Sequence, residues 1–284
     1  MDADTRCAFV ALIGAPNVGK STLVNALVGT KVTIVSPKVQ TTRTLVRGIA
    51  IEEKSQLVFV DTPGIFAPRR RLDRAMVTSA WTGAHDADIV ALMVDAKRGL
   101  DEEADAILVK LKDVAGRKIA ILNKVDLVDK PGLLALTQAL NARENFAATF
   151  MVSALSGDGI AEVKAWLAAN APAGPWHYPE DQISDAPLRS LAAEITREQV
   201  FNRLHQELPY RSTVETEVWK ELRDGGVRIE QTIYVERESQ RKIVLGKGGA
   251  SMAAAISRRA SAPIVLMPWP PLPSTILRWL SRST

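Results

Sequence analysis

The 284-residue chain reads as an α/β protein, with a mostly parallel sheet flanked by helices followed by a smaller α+β domain. Three observations predict this. Five short β-branched runs (CAFVALIG, QLVFVDTPG, DIVALMVDA, KIAILNKVD, TFMVSA) alternate with helix-like segments, the pattern of β-α units around a parallel sheet. The runs end in polar or glycine-containing turns, and ligands of such sheets bind outside the carboxyl ends of the strands. After Ala171 the tract APAGPWHYPEDQISDAP carries four prolines in seventeen residues and reads as an inter-domain linker. The expected limits are a first domain over 6–172, a linker over 173–187, a second domain over 188–270 and a tail over 271–284.

The first strand, Phe9 to Ile13, leads into Gly14-Ala15-Pro16-Asn17-Val18-Gly19-Lys20-Ser21-Thr22, and a helix-like stretch from Leu23 to Leu27 follows. Gly14, Gly19, Lys20 and Ser21 fit G-x-x-x-x-G-K-[ST] in its required strand-loop-helix context. Backbone N–H groups in such a loop curl around a β-phosphate, helped by the positive end of the next helix. Lys20 would neutralise β- and γ-phosphates, and the Ser21 hydroxyl would ligate Mg2+.

Next comes Gln40-Thr41-Thr42-Arg43, where a switch is expected; Thr42 is taken as the other magnesium ligand, with Thr41 as its rival. Asp61-Thr62-Pro63-Gly64 closes the second run. Asp61 would hold the metal through a water, and the Gly64 amide reaches a γ-phosphate only while one exists, so the loop can report hydrolysis. The phosphate loop does not choose between ATP and GTP. Asn123-Lys124-Val125-Asp126 does, because an Asp126 carboxylate accepts two hydrogen bonds from the N1–H and exocyclic amine of guanine, a pair that adenine lacks. Asn123 would brace the loops, and the Lys124 stem would cover the base face. Ser153-Ala154-Leu155 follows the fifth run and offers a backbone amide to the guanine oxygen.

The second domain opens with a helix-like RSLAAEITREQVFNRLHQEL, then two alternating strands, STVETEVWKEL and VRIEQTIYVERE, around Asp224-Gly225-Gly226. The formal charge of +4 lies wholly here: residues 1–184 carry 21 basic and 21 acidic side chains, residues 185–284 carry 15 and 11. From Ser239 onward there are seven basic residues and no acidic one, a charge that attracts a polyanion.

Other features bound the answer. Lone Cys7 forms no internal disulfide and reads as a small buried residue. His85, His177 and His205 lack metal-ligand spacing. No apolar run approaches the ~18 residues that cross a bilayer, and MDADTRCAF lacks the layout of a secretory signal, so a cytoplasmic protein is expected. Arg69-Arg70-Arg71 reads as a solvated loop. An ATP-dependent kinase is disfavoured by NKVD.

The motifs GAPNVGKSTLVNALVG, VQTTR, VDTPGI, NKVD and SAL, then HYPEDQISD, ELPYRSTVETE and IYVERESQRKIVLGKGG, together resemble the Era family of GTPases over residues 6–250. The resemblance implies a P-loop GTPase domain followed by an RNA-binding KH domain. It also implies a monomeric, GTP-driven assembly factor that binds the 3′ end of the small-subunit rRNA, with a peripheral fraction on the cytoplasmic face of the inner membrane. Gly246-Lys247-Gly248-Gly249 fits the G-x-x-G loop with which KH domains clamp a single-stranded backbone, Lys247 pairing with phosphate and Arg241 and Lys242 adding charge beside it.

Two departures matter. Where many small GTPases place a water-orienting Gln after the DTxG glycine, this chain has Ile65, so slow intrinsic hydrolysis through Lys20, magnesium and the loop amides is expected. Asn17 matches the position that helps hold K+ in related GTPases. The chain also meets Ser261-Ala262-Pro263 about two helical turns early, and Pro268, Pro270, Pro271 and Pro273 leave only Ile264 to Met267 as a closing strand. Either a trimmed KH end or a reading-frame change accounts for this tail, and the alternative function is a GTPase switch without specific RNA binding.

Overall fold

The computed structural model describes residues 5–36, 38, 41–204, 208–222, 227–245 and 264–268. The chain divides into two compact units, Met1–Val35 with Val39–Asp185, and Ser36–Lys38 with Ala186–Thr284.

The first unit runs β1 (Arg6–Ile13), α1 (Lys20–Val28), β2 (Val46–Glu52), β3 (Ser55–Asp61), α2 (Arg71–His85), β4 (Ile89–Asp95), α3 (Glu102–Leu111), β5 (Arg117–Asn123), α4 (Lys130–Asn141), β6 (Thr149–Val152) and α5 (Ile160–Asn170). Its sheet has the order β2-β3-β1-β4-β5-β6 and is parallel except for β2, which pairs antiparallel with β3. The five expected strands are present. β3 and β4 are buried at every position, as continuous apolar runs covered on both faces must be. Helix starts follow local chemistry: Asp101 caps α3 by accepting from the Ala104 amide at 2.9 Å, and Asp129 caps α4 by accepting from Gly132 at 3.1 Å. Neighbouring strands β3 and β4 flank β1 on opposite sides, so the connections reverse direction there and open a crevice at the carboxyl end of β1.

The strand that sequence reading missed is β2. Gly48 interrupts its apolar run, yet glycine is needed there because a Cβ would come within 2.8 Å of Val28 on α1. Over much of its length the proline-rich tract read as a linker is bound to this unit. Ile49 donates its amide to the Ile183 carbonyl at 2.9 Å, the His177 and Tyr178 amides donate to the buried Gln56 Oε1 at 2.9 and 3.0 Å, and Arg47 pairs with Asp185 at 2.7 Å.

The second unit contains α6 (Leu188–Arg203), β7 (Ser212–Glu221), β8 (Val227–Val235), α7 (Glu238–Leu245) and β9 (Ile264–Pro268). β7 and β8 are antiparallel, and β9 adds to β8 in parallel, Gln231 opposite Ile264. The closing strand is thus present and extends to Pro268. Ala193, Val200, Leu204, Val214, Ile233, Val235 and Val244 form the core of this α+β unit. The turn Asp224 to Gly226, the loop Gly246 to Gly249 and the tail 269–284 lie outside the described residues.

Candidate guanine-nucleotide site

The phosphate loop leaves β1 at Ile13 and enters α1 at Lys20. Gly19 precedes the helix with φ of 100° and offers no side-chain cap, so the amides of the first turn keep their demand for an acceptor. Glycine is required twice over at that position, since a Cβ would also lie 2.3 Å from Asn123 Nδ2. Ala15 and Val18 are buried, Pro16 and Thr22 half-buried, and Asn17 stands exposed at φ of 62°. Lys20 is only 7% exposed, and its ammonium donates to the Gly14 and Ala15 carbonyls, each at 3.0 Å. Burial lowers its pKa to about 8, against the opposing pull of Asp61.

The three residues expected at magnesium converge. Asp61 Oδ2 accepts from Ser21 Oγ at 2.7 Å and Thr42 Oγ1 at 3.0 Å, and those two hydroxyls are 3.0 Å apart. Thr42, the threonine taken as the ligand, brings its hydroxyl into this cluster. Asp61 is fully buried, and desolvation raises its pKa against the lowering effects of the hydroxyls and Lys20. Its Oδ1 is buried with no hydrogen-bond partner among the described residues. A carboxylate with one oxygen unmet beside two hydroxyl oxygens fits a hydrated divalent cation.

Thr62 donates its hydroxyl to the Leu12 carbonyl at 2.6 Å, so its side chain ties the loop to β1. Gly64 lies against the phosphate loop so closely that a Cβ would meet Pro16 Cα at 2.9 Å, and the next amide, of Ile65, donates to the Gly14 carbonyl at 3.0 Å. The Ile65 side chain is buried in the core. The position after Gly64 therefore anchors the loop and presents nothing that orients water. Downstream, Asp73 is buried and accepts from the Arg69 and Arg70 amides at 3.1 and 2.9 Å, while Arg69, Arg70 and Arg71 remain exposed.

At the other end of the crevice, Asn123 donates to the Val18 carbonyl at 2.8 Å and accepts from the Ala154 amide at 3.0 Å. Lys124, at φ of 65°, lays its ammonium on the Asn17 carbonyl at 2.8 Å and on Asp95 at 2.6 Å. Asp126 is exposed in the 3₁₀ turn Val125–Leu127. Of the three amides in Ser153-Ala154-Leu155, Ser153 donates to the Asp158 carbonyl and Ala154 to Asn123, which leaves Leu155, 89% exposed, as the available donor.

Sequence reasoning missed three contributors. Asp95 ends β4 as Asp61 and Asn123 end their strands, a positional signal that would have found it. Thr33, whose hydroxyl reaches Asp61 from outside any motif, and Asn25, which holds the Thr33 backbone, carried no such signal. Of the expected RNA-binding residues, Gly246, Lys247, Gly248 and Gly249 lie outside the described residues, and Arg241 and Lys242 fall on α7.

A family model described as a 50S ribosome-binding GTPase matches residues 9–124, and a KH domain model matches residues 207–259. GTPase Era of Bradyrhizobium sp. strain BTAi1 is 67% identical over 268 residues, covering 94% of this chain and 87% of that protein. The chain belongs to the Era GTPase family. GTPase Era of Brucella melitensis is 64% identical over 88% of this chain and 80% of its own length. Among solved structures, Era in complex with MgGDPNP and nucleotides 1506–1542 of 16S ribosomal RNA matches with a TM-score of 0.85 at 33% identity, covering 93% of each chain. An Aquifex aeolicus Era variant bound to GDP·AlF4− matches with a TM-score of 0.84, also at 33% identity and 93% coverage of each chain. As an Era-family member the chain is a GTPase, and its first unit is the P-loop domain.

Proposed function

We propose that this chain is a GTP-driven switch that binds the 3′ end of the small-subunit rRNA and assists assembly of the small ribosomal subunit. The observation that carries the reading is the convergence of Lys20, Ser21, Thr42, Asp61, Asn123 and Asp126 at one sheet edge, in a chain whose fold matches an Era solved with a GTP analogue and 16S rRNA nucleotides.

In this reading the loop amides and Lys20 hold the β- and γ-phosphates, Ser21 and Thr42 offer oxygens to Mg2+, and Asp61 accepts from its water. Bound magnesium supplies charge neutralisation at the phosphates. Asp126 reads the guanine, the Leu155 amide meets its oxygen, and Asn123 keeps base loop and phosphate loop in register. With Ile65 buried, the attacking water has no side chain from that position to orient it, so catalysis is electrostatic and slow without a partner. Asn17, exposed on the phosphate loop, would help hold K+ in this reading; turnover higher in potassium than in sodium supports that role, and equal rates remove it.

The basic excess of the distal hundred residues supports contact with RNA phosphate, with Lys247, Arg241 and Lys242 as contact residues. We place the monomeric protein in the cytoplasm with a peripheral membrane fraction; among the described residues no helix is long and apolar enough to cross a membrane. The deciding experiment is binding of a short single-stranded fragment from the 3′ end of small-subunit rRNA at fixed salt, with the protein loaded with GTP or GDP. Tighter binding in the GTP form is the expected result. GTP binding with no specific RNA binding in either form overturns the RNA half of the reading and leaves a nucleotide switch alone.

A further inference from the structure

Asp61 Oδ2 accepts a third hydroxyl, from a residue outside every motif. Thr33, only 4% exposed, donates to it at 2.9 Å. The segment carrying Thr33 is held by one side chain. Asn25 Oδ1 accepts from the Val32 and Thr33 amides at 2.9 and 3.0 Å, and Asn25 Nδ2 donates to the Thr33 carbonyl at 2.9 Å. Asn25 lies on α1, the helix that also carries Ser21.

We infer that Thr33, fixed by Asn25, is a positioning residue for the magnesium site. The inference rests on the nucleotide reading above and adds to it. Ser21 and Thr42 each have a duty toward the metal, so their hydroxyls must satisfy cation and carboxylate together. Thr33 has none. Its hydroxyl serves only to hold Oδ2, which leaves the partnerless Oδ1 to accept from a metal-bound water. Branching at Cβ restricts the Thr33 rotamer, and the Asn25 amide holds its backbone on both sides, so the orientation costs little when the cation arrives. The arrangement makes α1 a common frame for a metal ligand and for the group that aims the metal's carboxylate. It also ties metal affinity to the stretch of chain that leads toward Thr42.

The test follows release of a fluorescent GDP analogue from the full chain as free Mg2+ is varied. Thr33→Val keeps shape and removes the donor; Thr33→Ser keeps the donor. A hydrogen bond to a charged group sets the expected scale at roughly tenfold or more. In Thr33→Val the Mg2+ concentration that half-saturates the slowing of release rises by about that factor, while release in excess EDTA stays near the parent rate. Thr33→Ser restores the parent value, and Asn25→Ala, which frees the backbone and keeps the hydroxyl, gives a smaller rise in the same direction. An unchanged Mg2+ dependence in Thr33→Val overturns the inference, as does an equal acceleration with and without Mg2+, which marks a merely structural role. Failure of the parent chain to hold the analogue sinks the nucleotide reading itself, and the two failures are thereby distinguished.

Discussion

Asn123 and Val18 are joined across the nucleotide crevice, the side-chain amide of one donating to the carbonyl of the other at 2.8 Å while its oxygen accepts from Ala154 at 3.0 Å. One side chain, 2% exposed, thus connects three loops that lead from different strands. Asn123→Ala strands a buried acceptor and a buried donor, at about 1–3 kcal/mol each. The expected outcome is a lower melting temperature together with at least roughly tenfold weaker GDP binding, read by thermal unfolding and by titration. A melting temperature that falls while affinity holds would separate the brace from the site.

Gly19 faces that same amide. Alanine there meets two independent penalties, a φ of 100° and a Cβ 2.3 Å from Asn123 Nδ2. Gly19→Ala is expected to abolish nucleotide binding while far-ultraviolet circular dichroism stays that of a folded protein, because the strain falls on the loop and not on the sheet. Retained affinity would show that the loop relaxes when phosphate arrives.

Much of this was legible in the sequence, and what was not has a common cause. Strands β1, β3, β4, β5 and β6 announce themselves as β-branched runs, and the motif residues sit at their ends by spacing alone. β2 was hidden because Gly48 yields to Val28, a contact made by a helix elsewhere in the chain. The contact of Thr42 with Asp61, the engagement of Ala154 that leaves Leu155, and the Thr33 contact all depend on where two chain segments meet in space. The proline-rich tract reads as a linker by composition, yet Gln56, a polar residue inside an apolar strand, provides the partners that bind it.

Lys20 gives a pH dependence with a definite sign. Burial holds its pKa at about 8 in the free protein, and nucleotide phosphates raise it. Binding therefore takes up a proton near that pH, so affinity is full below about 8 and falls as pH rises through it, by up to roughly tenfold per unit. Stability of the free protein runs the other way: the unfolded lysine keeps its proton to 10.5, so raising pH from about 8 toward 10.5 relieves the cost of burying the charge. Calorimetry of GDP binding at about pH 8 in buffers of different ionisation enthalpy is expected to show uptake of about half a proton, absent in Lys20→Met. No uptake would mean that Lys20 stays charged in the free loop.

In the proposed reading Asp126 carries the choice of base, and its geometry makes that role testable by a single atom. The 3₁₀ turn Val125–Leu127 follows Lys124 in left-handed conformation, with the Leu127 amide returning to the Lys124 carbonyl at 3.0 Å, so the carboxylate is held on a short, closed turn. A carboxylate has only acceptors and suits the two donors on the guanine edge; a side-chain amide in its place sets a donor against the exocyclic amine. Asp126→Asn should weaken GDP binding about a hundredfold, two charge-assisted bonds being lost or reversed. Xanthine carries an oxygen where guanine carries that amine, so xanthosine diphosphate should bind the variant better than the parent. The Lys20 and Asp61 ends of the crevice are untouched by this change, so the magnesium dependence of release should stay the same for whichever base is bound. Undiminished GDP affinity in Asp126→Asn would instead assign base recognition to the Leu155 amide alone, a donor that meets the guanine oxygen and is set against the adenine amine.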